Sequence, residues 1–272
     1  MAHKKKKSGR LSLGIGLAYL GLLLFLPVSA LVLKGLGIPL KEFAATFSEP
    51  RVLAACRLTF GVALLAALFN AVTGFTVAWV LARYRFAGRR LLDSVVDLPF
   101  ALPTAVAGIA LSGLYAPDGW VGRLLAPLGV QVAYTPLGVL VALVFVGFPF
   151  VVRTVEPVIE ALDIGLEEAS ACLGASRIYT FRRVILPEVA PALLTGATMA
   201  FARGLGEYGS VIFIAGNLPG VSEILPLLIV ARLESYDFTG ATVLACGMLA
   251  LSFAMLLGVN LLEGWKNREK KA

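Results

Sequence analysis

Two ionisable side chains stand inside an otherwise apolar run, FARGLGEYGS at 201–210. Arg203 and Glu207 are four residues apart, so one face of a helix can carry both. Arg203 lies 12 residues after Pro191, ~18 Å into a helix at ~1.5 Å per residue. A charged group at such depth costs ~2.5 kcal/mol or more unless it is paired or wetted. Two chemistries fit. The pair lines a water-accessible path in which Arg203 offers positive potential to an anion, or it is an intrahelical salt pair turned to the bundle interior. Gly204, Gly206 and Gly209 permit close helix approach or local unwinding. A second candidate stretch is DLPFALPT at 97–104. Pro99 and Pro103 remove backbone donors and kink or break a helix there. Asp97 sits at a membrane edge, and Asn70 reads as an amide bonded to a neighbouring helix. These five residues, Arg203, Glu207, Asp97, Pro99 and Pro103, are the expected translocation path or gate.

Other chemistries find little support. The one histidine, His3, lies in a basic tail, which removes imidazole from any membrane-embedded metal site or Ser-His pair. Cys56, Cys172 and Cys246 are widely spaced, with no CxxC pair, and point to neither a disulfide framework nor a metal site. HExxH and the phosphate loop GxxxxGK[ST] are both absent, so no nucleotide is expected to be hydrolysed by that route. An intramembrane enzyme is therefore poorly supported, and no cofactor is expected.

The elements that must position these residues are membrane spans. The chain is 58% hydrophobic, with mean hydropathy +0.87, too apolar for an ordinary soluble domain. Six apolar stretches at about 11–33, 53–81, 94–116, 134–152, 189–215 and 241–262 are each taken as a span. Basic tails occupy 1–10 and 263–272. Val28-Ser29-Ala30 resembles a signal-peptidase site, so a cleaved signal peptide is the alternative for the first stretch. The net charge of +7 is clustered and needs no nucleic-acid partner. Seventeen Lys and Arg residues fall on the side of the tails and even-numbered loops, against five on the other side. The positive-inside rule then places both termini in the cytoplasm. The expectation is an all-α integral membrane protein with six transmembrane helices.

One segment is not apolar: VEPVIEALDIGLEEASACLGASRIYTFRRVILP, residues 155–187. Val155, Val158, Ile159, Leu162, Leu166, Ala169 and Leu173 recur at helical spacing, with Glu156, Glu160, Asp163 and Glu167 on another face. Gly174 can end a helix and allow a sharp turn. The segment reads as a short amphipathic helix, a corner and a second short helix, on the cytoplasmic side. It suits docking into another protein's groove. The alternative, a helix lying on lipid, fits its acidic half badly, because the inner leaflet is anionic.

Glu168-Ala169-Ser170-(x3)-Gly174-(x9)-Val184-Ile185-Leu186-Pro187 resembles the EAA motif of bacterial ABC-importer permeases, EAA-x3-G-x9-I-x-LP. Ser170 stands for Ala and Val184 for Ile. The resemblance implies coupling helices inserted into a cytoplasmic ATPase dimer, with Glu167, Glu168, Ala169, Gly174, Leu186 and Pro187 as the coupling residues. RYRFAGRRLLDSVVDLPFALPTAVAGIAL (83–111), FPFVVRTVEPVIEAL (148–162) and GEYGSVIFIAGN (206–217) are similar to the T-type permease subunit of sulfate/thiosulfate importers. That implies a heterodimer with a related W-type permease and a periplasmic sulfate-binding protein docking outside. Molybdate or tungstate is the runner-up cargo. A self-sufficient channel or ion-coupled carrier is the competing class, and it predicts transport by this chain alone.

Overall fold

The computed structural model describes residue 14 and residues 16–269. The basic tail at 1–10 lies outside the described residues, as does the very end of the basic tail at 263–272. Among the described residues there are helices and no strand. Four helices are each long and apolar enough to cross a membrane: Pro50–Arg83, Pro136–Glu160, Arg177–Leu205 and Phe238–Gly258. The pair Gly16–Leu23 and Leu26–Leu36, bent by 41°, makes a fifth. Val28-Ser29-Ala30 lies within the second member of that pair.

The helices are α1 Leu26–Leu36, α2 Leu40–Phe47, α3 Pro50–Arg83, α4 Arg89–Val96, α5 Leu98–Ala101, α6 Thr104–Tyr115 and α7 Trp120–Leu125. They continue as α8 Pro136–Glu160, α9 Ile164–Cys172, α10 Arg177–Thr180, α11 Leu186–Leu205, α12 Gly209–Ala215, α13 Leu225–Glu234 and α14 Phe238–Glu269. A wider π turn, Phe181–Ile185, joins α10 to α11.

Two expected spans are not single helices. The third is divided into α4, α5 and α6. Leu102 and Pro103 between α5 and α6 are extended, with ψ of 133° and 134°. Pro103 has no N–H to continue the ladder, and the residue before a proline is pushed out of the helical region. The fifth ends at Leu205 and restarts at Gly209. The expected helix through 155–173 is also two helices: α8 runs on to Glu160, and Asp163 starts α9 by accepting from the Gly165 N–H at 2.8 Å.

The described residues form two compact units, those of 50–228 with those from 251 onward, and those up to 49 with 229–250. In the larger, α3, α8 and α11 form the centre. Val62, Ala63, Ala66 and Ala67 bury against Val139, Ala142, Leu143, Phe201 and Leu205. Further along, Ala78 and Leu81 bury against Val151, Val152, Val155, Ile159 and Val189. Lipid is as apolar as these side chains, so close packing of small residues must hold the helices together. A Cβ added at Gly74 would lie 2.9 Å from the Val151 Cβ, and one at Gly196 would lie 3.0 Å from the Val151 Cα. Asn70 is fully buried here and donates to the Val144 carbonyl of α8 at 3.1 Å, as its position in the sequence predicts.

In the smaller unit, Gly35 of α1 packs on Cys246 of α14. Asp237 caps α14 by accepting from the Gly240 N–H at 2.8 Å, and it pairs with Arg232 at 2.7 Å. Arg232 also pairs with Glu49. The Arg232 guanidinium, then the Gly240 N–H, hold the Asp237 carboxyl below the usual carboxylate range.

Candidate functional site

The elbow at 161–187 is built by local capping. After α9, Gly174 adopts φ +79°, which costs a side-chain-bearing residue strain. Its N–H donates to the Ala171 carbonyl at 2.9 Å, and the Ala175 N–H donates to the Ser170 carbonyl at 3.1 Å. This is a Schellman stop, and it satisfies carbonyls that the end of α9 would otherwise orphan. Ser176 then caps α10, its Oγ accepting from the Tyr179 N–H at 3.3 Å. Across the corner the buried hydroxyls of Ser170 and Thr180 meet at 2.8 Å.

The exposed face mixes apolar side chains with charged ones. Glu168 and Ala169 are exposed, Leu173 is 88% exposed and Ile178 72%. Beside them a groove of about 710 Å³ is lined by Ser176, Ile178, Tyr179, Arg182, Arg183 and Pro187. Not every expected coupling residue faces outward. Glu167 turns inward to Arg83 at 2.7 Å, and Arg83 lies over the Trp79 ring, 5.5 Å from its centroid. Leu186 and Pro187 form the first turn of α11, where proline's missing N–H is harmless.

The second locus is the interruption between α11 and α12. Arg203 Nη1 meets Glu207 Oε2 at 2.6 Å, as the four-residue spacing predicts. The reason differs, because Glu207 lies beyond the end of α11. Its other oxygen, Oε1, accepts from the N–H and the hydroxyl of Ser210, both at 2.8 Å. The carboxylate is thus a brace across the break, 1% exposed, while the arginine is 34% exposed. The α6 start lies against the same place. A Cβ at Gly209 would run into Thr104, and one at Gly108 would lie 2.7 Å from the Ser210 Cα. The interruptions at Pro103 and at 206–208 are therefore neighbours.

Asp97 goes elsewhere. Arg153 of α8 grips it with two bonds, Nε to Oδ1 at 2.8 Å and Nη2 to Oδ2 at 2.7 Å. The same guanidinium reaches Asp93 at 2.7 Å and Glu156 at 2.8 Å. No hydrogen bond or ion pair among the described residues joins Asp97 to Arg203 or Glu207. Pro99 stands in the first turn of α5, beside Phe100, whose ring meets Phe150 edge-on at 5.0 Å. Sequence reasoning counted Arg153 only as one more cation after an apolar run. Its spacing of three from Glu156 was the available signal. Its pairing with residues 56 and 60 positions away had none. No cluster of metal-ligating side chains occurs among the described residues.

The profile of the family described as binding-protein-dependent transport system inner membrane component matches residues 71–267. The sulfate transport system permease protein CysT of Synechococcus elongatus is 50% identical to this chain over 250 residues, covering 92% of this chain and 90% of that protein. The proteins of that name from Salmonella typhimurium and Escherichia coli are each 46% identical, over 93% of this chain and 91% of theirs. Among solved structures, a bacterial ABC transporter involved in import of the acidic polysaccharide alginate matches with a TM-score of 0.79 at 16% identity, over 96% of both chains. The inward-facing methionine ABC transporter MetNI matches with a TM-score of 0.56 at 21% identity, over 82% of this chain and 98% of that one. At such identities the solved structures speak for the fold alone.

Proposed function

The chain belongs to the family of binding-protein-dependent transport system inner membrane components, and we propose that it is the T-type permease subunit of an importer of sulfate and thiosulfate. It is a multi-pass inner-membrane protein and a permease component, not the catalytic one. The observation that carries the cargo is identity of 46–50% with sulfate permeases across nine-tenths of both chains. In this reading six spans cross the membrane, the third and fifth as broken helices, with both termini and the elbow in the cytoplasm.

A tetrahedral dianion cannot cross hydrocarbon, and it needs a wet polar path closed alternately at each side. Arg203 stays 34% exposed while paired beside the break between α11 and α12, so it supplies the path's positive potential. Glu207 holds it and braces the break. Asp97, Pro99 and Pro103 belong to the gate rather than to the anion's contacts. The elbow is the docking surface for a separate ATPase dimer. Glu168, Ala169 and the apolar side chains beside them meet the ATPase, Gly174 sets the corner, and Glu167, Leu186 and Pro187 fasten the elbow to the spans. A related W-type permease completes the pore, and a periplasmic sulfate-binding protein delivers the anion.

The deciding measurement is uptake of radiolabelled sulfate in cells lacking their own sulfate permease, with and without competing molybdate. Restored uptake that excess molybdate leaves intact is the expected result. Transport by this chain alone in liposomes, without ATP, would place it among channels or carriers instead.

A further inference from the structure

Residues 83–97 and 153–167 run past each other in opposite directions and are joined by ion pairs along their whole length. Arg83 pairs with Glu167 at 2.7 Å, Arg89 with Glu160 at 3.4 Å, and Arg153 with Asp93 and Asp97 at 2.7 Å each. The paired numbers sum to nearly the same value from rung to rung, which is the register of two antiparallel segments. The end rungs are the best fixed. Arg83 is stacked on Trp79, and Arg153 holds Asp97 with a two-bond fork that sets orientation as well as distance.

The register has a mechanical consequence. Its lower end is Glu167 in α9, inside the docking elbow. Its upper end is Asp97, directly before α5 and the extended residues Leu102 and Pro103. The Phe100–Phe150 ring contact adds an apolar rung at that end. Beyond Pro103, α6 is packed on α12 through Gly108 and Ser210 and through Thr104 and Gly209. Pro149 and Pro157, inside α8 on either side of Arg153, each remove one backbone donor while the helix runs on to Glu160. The extended residues Leu102 and Pro103 thus separate α4–α5, which the ladder ties to the elbow, from α6, which packs on the restart of the chain beside the Arg203–Glu207 brace.

We propose that the ion-pair ladder Arg83–Glu167, Arg89–Glu160 and Arg153–Asp93/Asp97 makes the elbow, the inner end of α8 and α4–α5 one moving part that meets α6 at the break at Pro103. Arg153 is then a positioning residue for transport. It touches no cargo and fixes how far an ATPase stroke is delivered to the gate. The proposal rests on the reading of the elbow as the ATPase dock.

The test uses the assembled transporter in ATP-loaded proteoliposomes and reads sulfate moved per ATP hydrolysed. Arg83→Glu and Glu167→Arg, each alone, lower that ratio at least fivefold, and the double exchange returns it to within twofold of wild type. Arg153→Lys also lowers the ratio at least fivefold with the ATPase still copurifying, because one ammonium cannot grip Asp93, Asp97 and Glu156 together. Wild-type ratios in the single variants, or a loss that the double exchange does not restore, overturn the ladder. If the exchanged variants fail to insert, Arg153→Lys decides alone, and a wild-type ratio there overturns it. Docking is checked separately by cross-linking the exposed Cys172 to the ATPase in the wild-type complex. A missing cross-link overturns the docking reading and the ladder with it, whereas a failed ladder with the cross-link intact overturns the ladder only.

Discussion

Ser170 Oγ lies 2.8 Å from Thr180 Oγ1 across the corner that Gly174 turns, with both side chains buried. This bond closes the elbow on itself and explains a departure from the family motif, in which alanine stands at the position of Ser170. The hydroxyl found a partner ten residues away. Ser170→Ala leaves the Thr180 hydroxyl with its bond to the Ser176 carbonyl and costs ~1 kcal/mol. Retention of the ATPase on the purified complex should fall about fivefold at limiting concentration. Thr180→Val should match it, and the double variant should add little more.

Gly174→Val forces a β-branched residue to φ +79° and should cost ~1–2 kcal/mol in the elbow alone. Membrane insertion is unaffected, because the corner lies outside the spans. ATPase copurification and ATP-driven uptake fall together, as measured by pull-down and sulfate uptake. Glu168→Lys, which changes only an exposed charge, should weaken docking and leave the melting temperature unchanged.

Removal of Arg203 leaves the Glu207 carboxylate buried without its cation. Such a change typically costs ~3–5 kcal/mol, so Arg203→Ala should lower the thermal midpoint of the purified protein as well as uptake. Glu207→Gln keeps an acceptor for the Ser210 N–H and is the milder change for stability. It also frees Arg203 from its counter-charge. Uptake by Glu207→Gln should fall more than tenfold while the complex still assembles, which separates a role in transport from a role in folding.

Gly108 allows α6 to touch the backbone of α12, and no side chain fits between them. Gly108→Leu should drive the two half-helices apart and cost several kcal/mol, of the order seen for overpacked cores, ~1–3 kcal/mol or more. Loss of the folded peak in size-exclusion chromatography would be the readout. Gly113→Leu, at a glycine with open space around it, is the control and should behave as wild type.

The Asp237 carboxyl is held below its ordinary range by Arg232 and the Gly240 N–H. A group with a depressed folded pKa contributes stability that is fully present above its unfolded value, ~3.9, and is lost as pH falls through the folded value. Hydrogen exchange at the Gly240 amide should therefore accelerate below about pH 4, after correction for intrinsic rates. In Asp237→Asn that acid-dependent step should be absent.

Hydrophobic runs and clustered cations made the class of fold legible, because spans must be long, apolar and flanked by charge. The elbow was legible through Gly174 and the charged faces, and the Arg203–Glu207 pair through its spacing. Three things were not. Gly204, Gly206 and Gly209 allow unwinding there, but the cap that restarts the chain at Gly209 depends on Glu207 supplying an oxygen to Ser210, and periodicity records no caps inside an apolar run. The division at Asp163 was hidden because apolar spacing happens to continue across it. The partners of Arg153 lie on another helix, and which carboxylate a cation meets is decided by packing, not by the segment that carries it.

Leu173, Ile178 and Tyr179 stand bare on the elbow of the isolated chain. In the proposed orientation, a newly made copy without its ATPase displays to the cytosol the sort of greasy knob that quality-control proteases and chaperones seize. Surplus copies should accordingly be short-lived, so cellular abundance of this subunit ought to track synthesis of the ATPase rather than its own messenger.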